Sequence, residues 1–451
     1  MITKPATLKG TRDFLPHQIA KRSYLFDTIR TVFQSYGFAP IETPAMEKSE
    51  TLLGKYGEEG DKLLFRILNN GDFMEGVDTG ASSASIASQI SKRALRYDLT
   101  VPFARFVSQH RNELQFPFKR YQIQPVWRAD RPQKGRYQEF FQCDADVVGS
   151  ESLWHEVDFI QIFDEVLTRL GLKVFTIKMN NRKILAGLAE VAGHSDRLKD
   201  IAISLDKLDK VGKEQVILEW QSRGIDQEAI EKLSAIFAMK EKKSTEGLRA
   251  LLAHSEIGLM GMDELDQVMA HAKALGLQSA KLEFDITLAR GLDYYTGAIF
   301  EVVSDEVAIG SICGGGRYDD LTGIFGMPDM PGVGISFGAD RIYDVLDQLQ
   351  RWPADMMTVP DIIFMNFGEK EAFRCMQVMK EMRKMGYAAE LYPSPVKMKK
   401  QLKYADDRGI RYVGLIGGEE LSSGKITLKD MQEGSQESLE LDGFKERMKR
   451  G

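Results

Sequence analysis

Cysteine is scarce in this chain. Among 451 residues there are three, Cys143, Cys313 and Cys375, and no CxxC pair. That argues against a zinc knuckle or a thioredoxin-like redox site. Histidine is nearly as sparse: His17, His110, His155, His194, His254 and His271 form no HExxH, so no zinc site built by the protein is expected. No apolar run approaches the roughly 20 residues that span a bilayer. The stretch from Met1 to Phe14 lacks the apolar core of a secretory signal, so the cytoplasm is the expected address. There is no excess of basic charge either. The formal net charge is -6, which neither predicts nor excludes a nucleic-acid partner, because such binding depends on local patches. Gly332–Gly338 falls short of GxGxxG and does not follow a first strand, which disfavours a dinucleotide-binding fold. No internal repeat is found.

What is present is an ordinary soluble composition, 43% apolar and 28% charged, at a length that predicts about two to four domains. Residues 17–36 read as a helix with Leu25, Ile29, Val32, Phe33 and Tyr36 on one face, ended by Gly37. Phe38 to Pro44 reads as extended, and residues 69–91 as a surface loop running into a weak helix. Two strand-like runs follow, Phe118–Arg128 and Arg136–Val148, and then an amphipathic helix over 155–170. From 187 to 273 the chain is helical and charged, and reads as an insertion. Strand and glycine signals return at Lys281–Val303 and Gly310–Phe337. Residues 351–360, with Pro353 and Pro360, read as a linker. Beyond them strands and helices alternate through 361–451, as in a small α/β domain.

Alternation singles out the paired runs. Gln138, Phe140, Gln142, Asp144 and Asp146 share one face of a strand, and Tyr137, Phe141, Cys143, Ala145 and Val147 the other. Arg120, Gln122, Gln124 and Arg128 repeat the even-numbered polarity upstream. Such faces are either a solvated sheet surface or the floor of a polar pocket, and two matching ones favour a pocket. The basic loop from Asp130 to Arg136 is either an exposed turn or a phosphate clamp, since guanidinium groups match phosphate geometry. Gly314–Gly315–Gly316–Arg317–Tyr318 is either a turn or a place where a flat ligand meets bare backbone. Arg341, in the first turn of a helix, opposes the helix dipole, a conflict that a bound phosphate would relieve. Lys397, Lys399, Lys400, Lys403, Arg408 and Arg411 form a basic stretch, read as a solvated helix face or a nucleic-acid contact. Lys397–Met398–Lys399–Lys400 has no HxGH partner, so it is not read as a class I ligase signature.

Taken in order, these segments resemble the class II aminoacyl-tRNA synthetases, specifically the histidyl-tRNA synthetase family, over essentially the whole chain. Gly37–Pro44 is similar to the family's first motif, Phe118–Val148 to its second and Gly332–Arg341 to its third. Arg290–Gly291–Leu292–Asp293–Tyr294–Tyr295 resembles the stretch peculiar to histidine enzymes. Leu52–Gly57 and Leu95–Thr100 add support. Where many bacterial members carry Arg-Pro-Glu-Gly-Thr this chain has Arg96–Thr100, and Asp146 stands where they carry Glu. Both features resemble the branch typical of eukaryotes and archaea.

The resemblance implies an α+β fold. Its parts are a catalytic domain over 1–350 with a mixed, mostly antiparallel sheet, flanking helices and the 187–273 helical insertion, then the linker, then a C-terminal α/β anticodon-binding domain. It implies ATP-dependent ligation of L-histidine to tRNA(His) through a histidyl-adenylate, in a homodimer, with Mg2+ brought by ATP. Arg128 and Arg290 would be catalytic at the α-phosphate, and Arg290 would also bind histidine, lying against its carboxylate. Arg136 and Arg341 would hold the outer phosphates. Asp98, Thr100 and Gln142 would take the substrate ammonium, Asp146 and Tyr295 the imidazole, and Tyr294 would line the same subsite. The alternative is a non-catalytic, histidine-sensing paralogue. Such subunits lack the anticodon domain and catalytic arginines, whereas Arg128, Arg290, Arg341 and residues 358–451 are present here.

Overall fold

The computed structural model describes all residues except 1–3, 57–59, 134, 243–244, 290–294, 354–355, 357–358 and 450–451. Arg290 and Tyr294 therefore lie outside the described residues. The chain divides into two compact units, Met1–Phe14 with Lys21–Trp352, and Pro353–Gly451 with Leu15–Ala20.

Strands of the first unit are β1 (Ala39–Pro40), β2 (Met46–Lys48), β3 (Arg66–Ile67), β4 (Arg93–Leu95), β5 (Phe118–Trp127), β6 (Glu139–Val148), β7 (Phe175–Asn181), β8 (Ala280–Phe284), β9 (Ala298–Ser304), β10 (Ser311–Tyr318) and β11 (Gly332–Gly338). Among the described residues, eight of them form one sheet in the order β1-β5-β6-β11-β10-β9-β7-β8, and β2-β4-β3 form a small second sheet. Only the two edge pairings of the large sheet, β1 with β5 and β7 with β8, are parallel. The interior is antiparallel, which leaves one face free to carry a site while the other packs on helices. Leu25, Ile29, Val32 and Phe33 of the Pro16–Ser35 helix, and Phe159, Phe163 and Val166 of the Trp154–Arg169 helix, are buried with Cys143, Ala145 and Val147, the odd-numbered side chains of β6. Helices from Arg182–Val191 to Glu256–Leu275 connect β7 to its parallel neighbour β8. A parallel pair requires such a crossover. Leu185, Leu188, Met262 and Leu265 of these helices share the core of the main sheet.

In the second unit, β12 (Ile362–Phe364), β13 (Ala389–Leu391), β14 (Tyr412–Leu415), β15 (Ile426–Asp430) and β16 (Gln436–Leu439) form a sheet in the order β13-β12-β14-β15-β16. It is covered on both faces. Ile362 and Phe364 pack with residues of the Glu369–Lys384 and Leu441–Lys449 helices, and Ile363 and Met365 with Ala405 of the Met398–Asp407 helix. That accounts for the unbroken apolar run at its centre.

Candidate active site

Register decides between the two readings of the polar faces. Across β5 and β6, Arg120 lies opposite Asp146, Gln122 opposite Asp144 and Gln124 opposite Gln142. Directly opposed residues of an antiparallel pair share a face, so the two polar rows merge. Arg120, Gln122, Asp144 and Asp146 are buried. A solvated surface would leave them in water; Gln142, Asp144 and Asp146 floor a pocket, and Arg120 and Gln122 lie sealed beside it.

Above it opens a cleft of about 430 Å³ lined by Asp98, Thr100, Arg128, Arg136, Gln142, Tyr295 and Arg341, together with Glu301 and Asp340. That volume suits a small-molecule ligand. A narrower recess beside it is bounded by Thr100, Asp144, Asp146, Tyr295, Tyr318 and Gly334. The structure thus brings together every described residue singled out from the sequence for ATP and histidine.

Three guanidinium groups line the cleft. Arg128 donates from Nε to the Tyr97 carbonyl at 3.0 Å and lies 4.1 Å from the Tyr97 ring centroid. Arg136 is 3.1 Å from Asp130. Arg341 donates to the carbonyls of Gly135, at 2.9 Å, and Ser311, at 2.6 Å. Gly135 has φ +73°, a left-handed conformation open to glycine at no steric cost. It turns the basic loop so that its carbonyl meets Arg341. The dipole conflict at Arg341 is offset by its neighbour Asp340. That buried carboxylate accepts from Arg12, from Arg22 Nη1 at 2.6 Å and from the Phe141 backbone N–H at 2.9 Å. Sequence reading missed Asp340. Its partners lie more than 300 residues upstream or on the adjoining strand, and no local pattern joins them.

The acidic side carries unmet hydrogen-bond capacity. Asp98 Oδ1 accepts from Tyr56 Oη at 2.8 Å and the Val101 N–H at 3.2 Å. Its buried Oδ2 accepts from no described residue. Gln142 donates from Nε2 to Ser336 Oγ at 2.9 Å, and its buried Oε1 likewise accepts nothing. Buried acceptors are seldom left so. Two of them on one cleft suit a ligand that only donates. Burial raises the Asp98 pKa, with Tyr56 and Arg128 opposing.

In the recess, Asp146 Oδ1 accepts from Tyr318 Oη at 2.7 Å, and Oδ2 lies 2.7 Å from Arg120 Nη2. That second approach is close without hydrogen-bond alignment, since neither atom is in a directed bond. Burial pushes the Asp144 carboxyl up to about 7, with Asp146 adding to the shift and Arg120 opposing it. Gly314–Gly315–Gly316 is part of β10 and not a turn. A Cβ on Gly315 would sit 2.8 Å from Ile335 Cα, and one on Gly334 would sit 2.5 Å from Asp146 Cγ. These glycines let strands and carboxylate approach. Tyr56 and Tyr318 were visible only as members of motifs; that each holds a carboxylate was not. Among the described residues no group of three or more His, Cys, Asp and Glu side chains converges as a metal site.

In the second unit the basic stretch is partly spent. Arg408 pairs with Glu390 at 2.8 Å, Lys403 with Asp407 at 2.8 Å and Arg411 with Asp430 at 3.1 Å. Lys397, Lys399 and Lys400, at the start of the Met398–Asp407 helix, are exposed.

Comparison with known proteins agrees with this site. The sequence model of a family described as histidyl-tRNA synthetase matches residues 10–342. The chain belongs to the histidyl-tRNA synthetase family. A second model, described as an anticodon-binding domain, matches residues 361–450. Relatives in the family include the histidine–tRNA ligase of Christiangramia forsetii, 56% identical over 98% of this chain and 99% of that one. That of Phocaeicola vulgatus is 54% identical over 97% of each. A crystal structure of histidyl-tRNA synthetase from Nostoc sp. PCC 7120 superposes with TM-score 0.81 at 32% identity, covering all of both chains. The fold itself is shared more widely. A Bacillus halodurans structure titled ATP phosphoribosyltransferase regulatory subunit/histidyl-tRNA synthetase reaches TM-score 0.70 at 21% identity, over 89% of this chain and 97% of that one.

Proposed function

We propose that the protein activates L-histidine with ATP and transfers it to tRNA(His), and that the cleft between β6, β10 and β11 is where the adenylate forms. The observation that carries this is the pairing of Asp98 Oδ2 and Gln142 Oε1, two unmet buried acceptors, with Arg128, Arg136 and Arg341 along one cleft. An ammonium has three donors and no acceptor, and polyphosphate is what a row of guanidinium groups binds best. An amino acid beside a nucleotide satisfies both.

In the first step a histidine carboxylate oxygen attacks the α-phosphorus, the bond to the β-phosphate oxygen breaks and pyrophosphate leaves. Asp98, Thr100 and Gln142 hold the ammonium. Asp146 and Tyr295 hold the imidazole: neutral imidazole offers one donor and one acceptor, which a carboxylate and a phenol complement. Arg128 and Arg290 stabilise charge growing on the α-phosphate, and Arg136 and Arg341 fix the outer phosphates. Mg2+ typically binds through one or two carboxylates plus substrate phosphates. Glu301, on the cleft wall, is the carboxylate we assign to it, and the ion would neutralise phosphate charge. In the second step a 3′-terminal hydroxyl of tRNA attacks the carbonyl and AMP leaves. Residues 361–451 read the anticodon, 1–350 form the catalytic domain and 351–360 the linker. We place the protein in the cytoplasm as a homodimer.

The test is histidine-dependent exchange of pyrophosphate into ATP, followed by aminoacylation. Asp146→Ala should raise the KM for histidine far more than that for ATP, because a site built on paired hydrogen bonds rejects misfits by about 10⁴ to 10⁵. Exchange driven equally by other amino acids, or equal effects on both substrates, would overturn the reading. A purely histidine-sensing role would give binding without exchange. No observation here favours it, and the anticodon-binding match at residues 361–450 stands against it.

A further inference from the structure

Arg120 takes no part in the scheme above, yet it is among the most enclosed charges in the chain. None of its surface is exposed. It lines neither the cleft nor the recess. Its guanidinium lies 4.2 Å from the Phe103 ring centroid, and Nη1 reaches Gln122 Oε1 at 3.4 Å. Its one close anionic contact among the described residues is Asp146, 2.7 Å away. A buried arginine is costly to desolvate, and a fold that needed only packing here would place a leucine. Asp146 gains from the cost. It is itself buried, and burial raises its pKa, with Arg120 first and then Tyr318 opposing.

We propose that Arg120 is a positioning residue for histidine selection: sealed behind Asp146, it keeps that carboxylate ionised and aimed, so that the imidazole N–H meets an acceptor and not a carboxylic acid. The proposal rests on the assignment of Asp146 to the imidazole. Its geometry is specific. Tyr318 Oη occupies Oδ1 from β10, and Arg120 approaches Oδ2 off axis from β5. An off-axis cation supplies charge without consuming the directed lone pair, which stays available to the ring. The remaining titratable neighbours are accounted for. Asp144 lies two residues along β6 and faces Arg120 as well, and Asp98 lies farther off, across the cleft. From β11 the residue opposite Asp146 is Gly334, which brings no charge. Phe103 and Tyr295 close the surroundings. Arg120 is thus the single cation among the described residues that Asp146 contacts.

The test compares Arg120→Gln and Arg120→Lys with wild type in pyrophosphate exchange, as KM for histidine and for ATP from pH 6 to 9. Taking each variant as a ratio to its Arg120 parent cancels the ionisation of histidine itself, and making every comparison in an Asp144→Asn background removes the neighbouring carboxyl that titrates near 7. Arg120→Gln should raise the histidine KM about tenfold or more at the acid end, one power of ten per pH unit by which Asp146 is left protonated. The ratio should fall towards its floor as pH rises and the carboxyl ionises. The ATP KM should change about twofold at most. Arg120→Lys keeps the charge but loses the fork, so its ratio should be flat with pH. A merely structural arginine would give Arg120→Gln a pH-independent loss touching both substrates, and that outcome overturns the proposal. If the glutamine variant does not fold, a pH-dependent ratio in Arg120→Lys overturns it equally. Asp146→Asn separates the two readings: should it leave the histidine KM unchanged, the assignment of Asp146 fails, whatever Arg120 does.

Discussion

Asp144 lies on the pocket floor, and its carboxyl titrates near 7 because it is buried. In the unfolded chain it titrates near 4. Between those values the folded state retains a proton that the unfolded state has lost, so this group's contribution to stability falls as pH rises from about 4 to about 7, and is flat above. Asp144→Asn removes the penalty while keeping the shape. Its melting temperature should exceed that of wild type by several degrees at pH 8 and match it near pH 4, read by calorimetry; an offset of the same size at both pH values would refute the account. Arg290 can be judged only by chemistry. Losing one donor at a charge that grows in the transition state costs about 10² to 10³ in rate. Arg290→Ala should therefore slow adenylate formation by that factor in a rapid-quench experiment and slow transfer from preformed adenylate much less, since the bond to pyrophosphate is already broken. A wild-type activation rate would dismiss the role. At this scale the sequence was legible for several residues that face the cleft, such as Asp98, Gln142 and Arg341. It was silent on Asp340, Tyr56 and Tyr318, whose work is to hold other side chains across long chain separations.

Elements were legible in proportion to their periodicity. β5 and β6 alternate because one face packs on helices and the other floors the site, and that alternation predicted both strands and the pocket. β7 offers no such signal. Nearly all its residues are buried, on both faces, so its sequence does not alternate and was passed over. β16, short and mostly exposed, lacks the apolar residues that would mark it. β11 shows how an element can serve a site by what it omits. Gly334 lies opposite Asp146, and a methyl group there would push into the carboxylate. Gly334→Ala should raise the histidine KM at least about tenfold, the scale of a lost charge-assisted hydrogen bond, with the ATP KM little moved and the circular dichroism spectrum retained. An unchanged histidine KM would mean that Asp146 has room to retreat.

For the whole molecule, each unit has a core of its own, so chemistry and tRNA reading should be separable. A chain ending at Trp352 should keep part of its pyrophosphate exchange and lose most of its aminoacylation through a raised KM for tRNA, with circular dichroism confirming that it folds. An unchanged KM for tRNA would remove the anticodon role. β1 is an edge strand with both residues exposed, and unpaired edges invite a partner chain. The proposed homodimer should be obligatory for activity, and a fully active monomer in sedimentation would refute it.

The crossover from β7 to β8 also has a consequence in time. Both sheet neighbours of β7 lie downstream, the nearer after about 100 residues of helix. At a ribosomal pace of 5–20 residues per second, β7 waits roughly 5–20 s with neither edge paired. The helices are made in that interval and bury their apolar faces in the same core as Phe175, Ile177 and Met179. They give the nascent strand something to lie against before its partners have been translated.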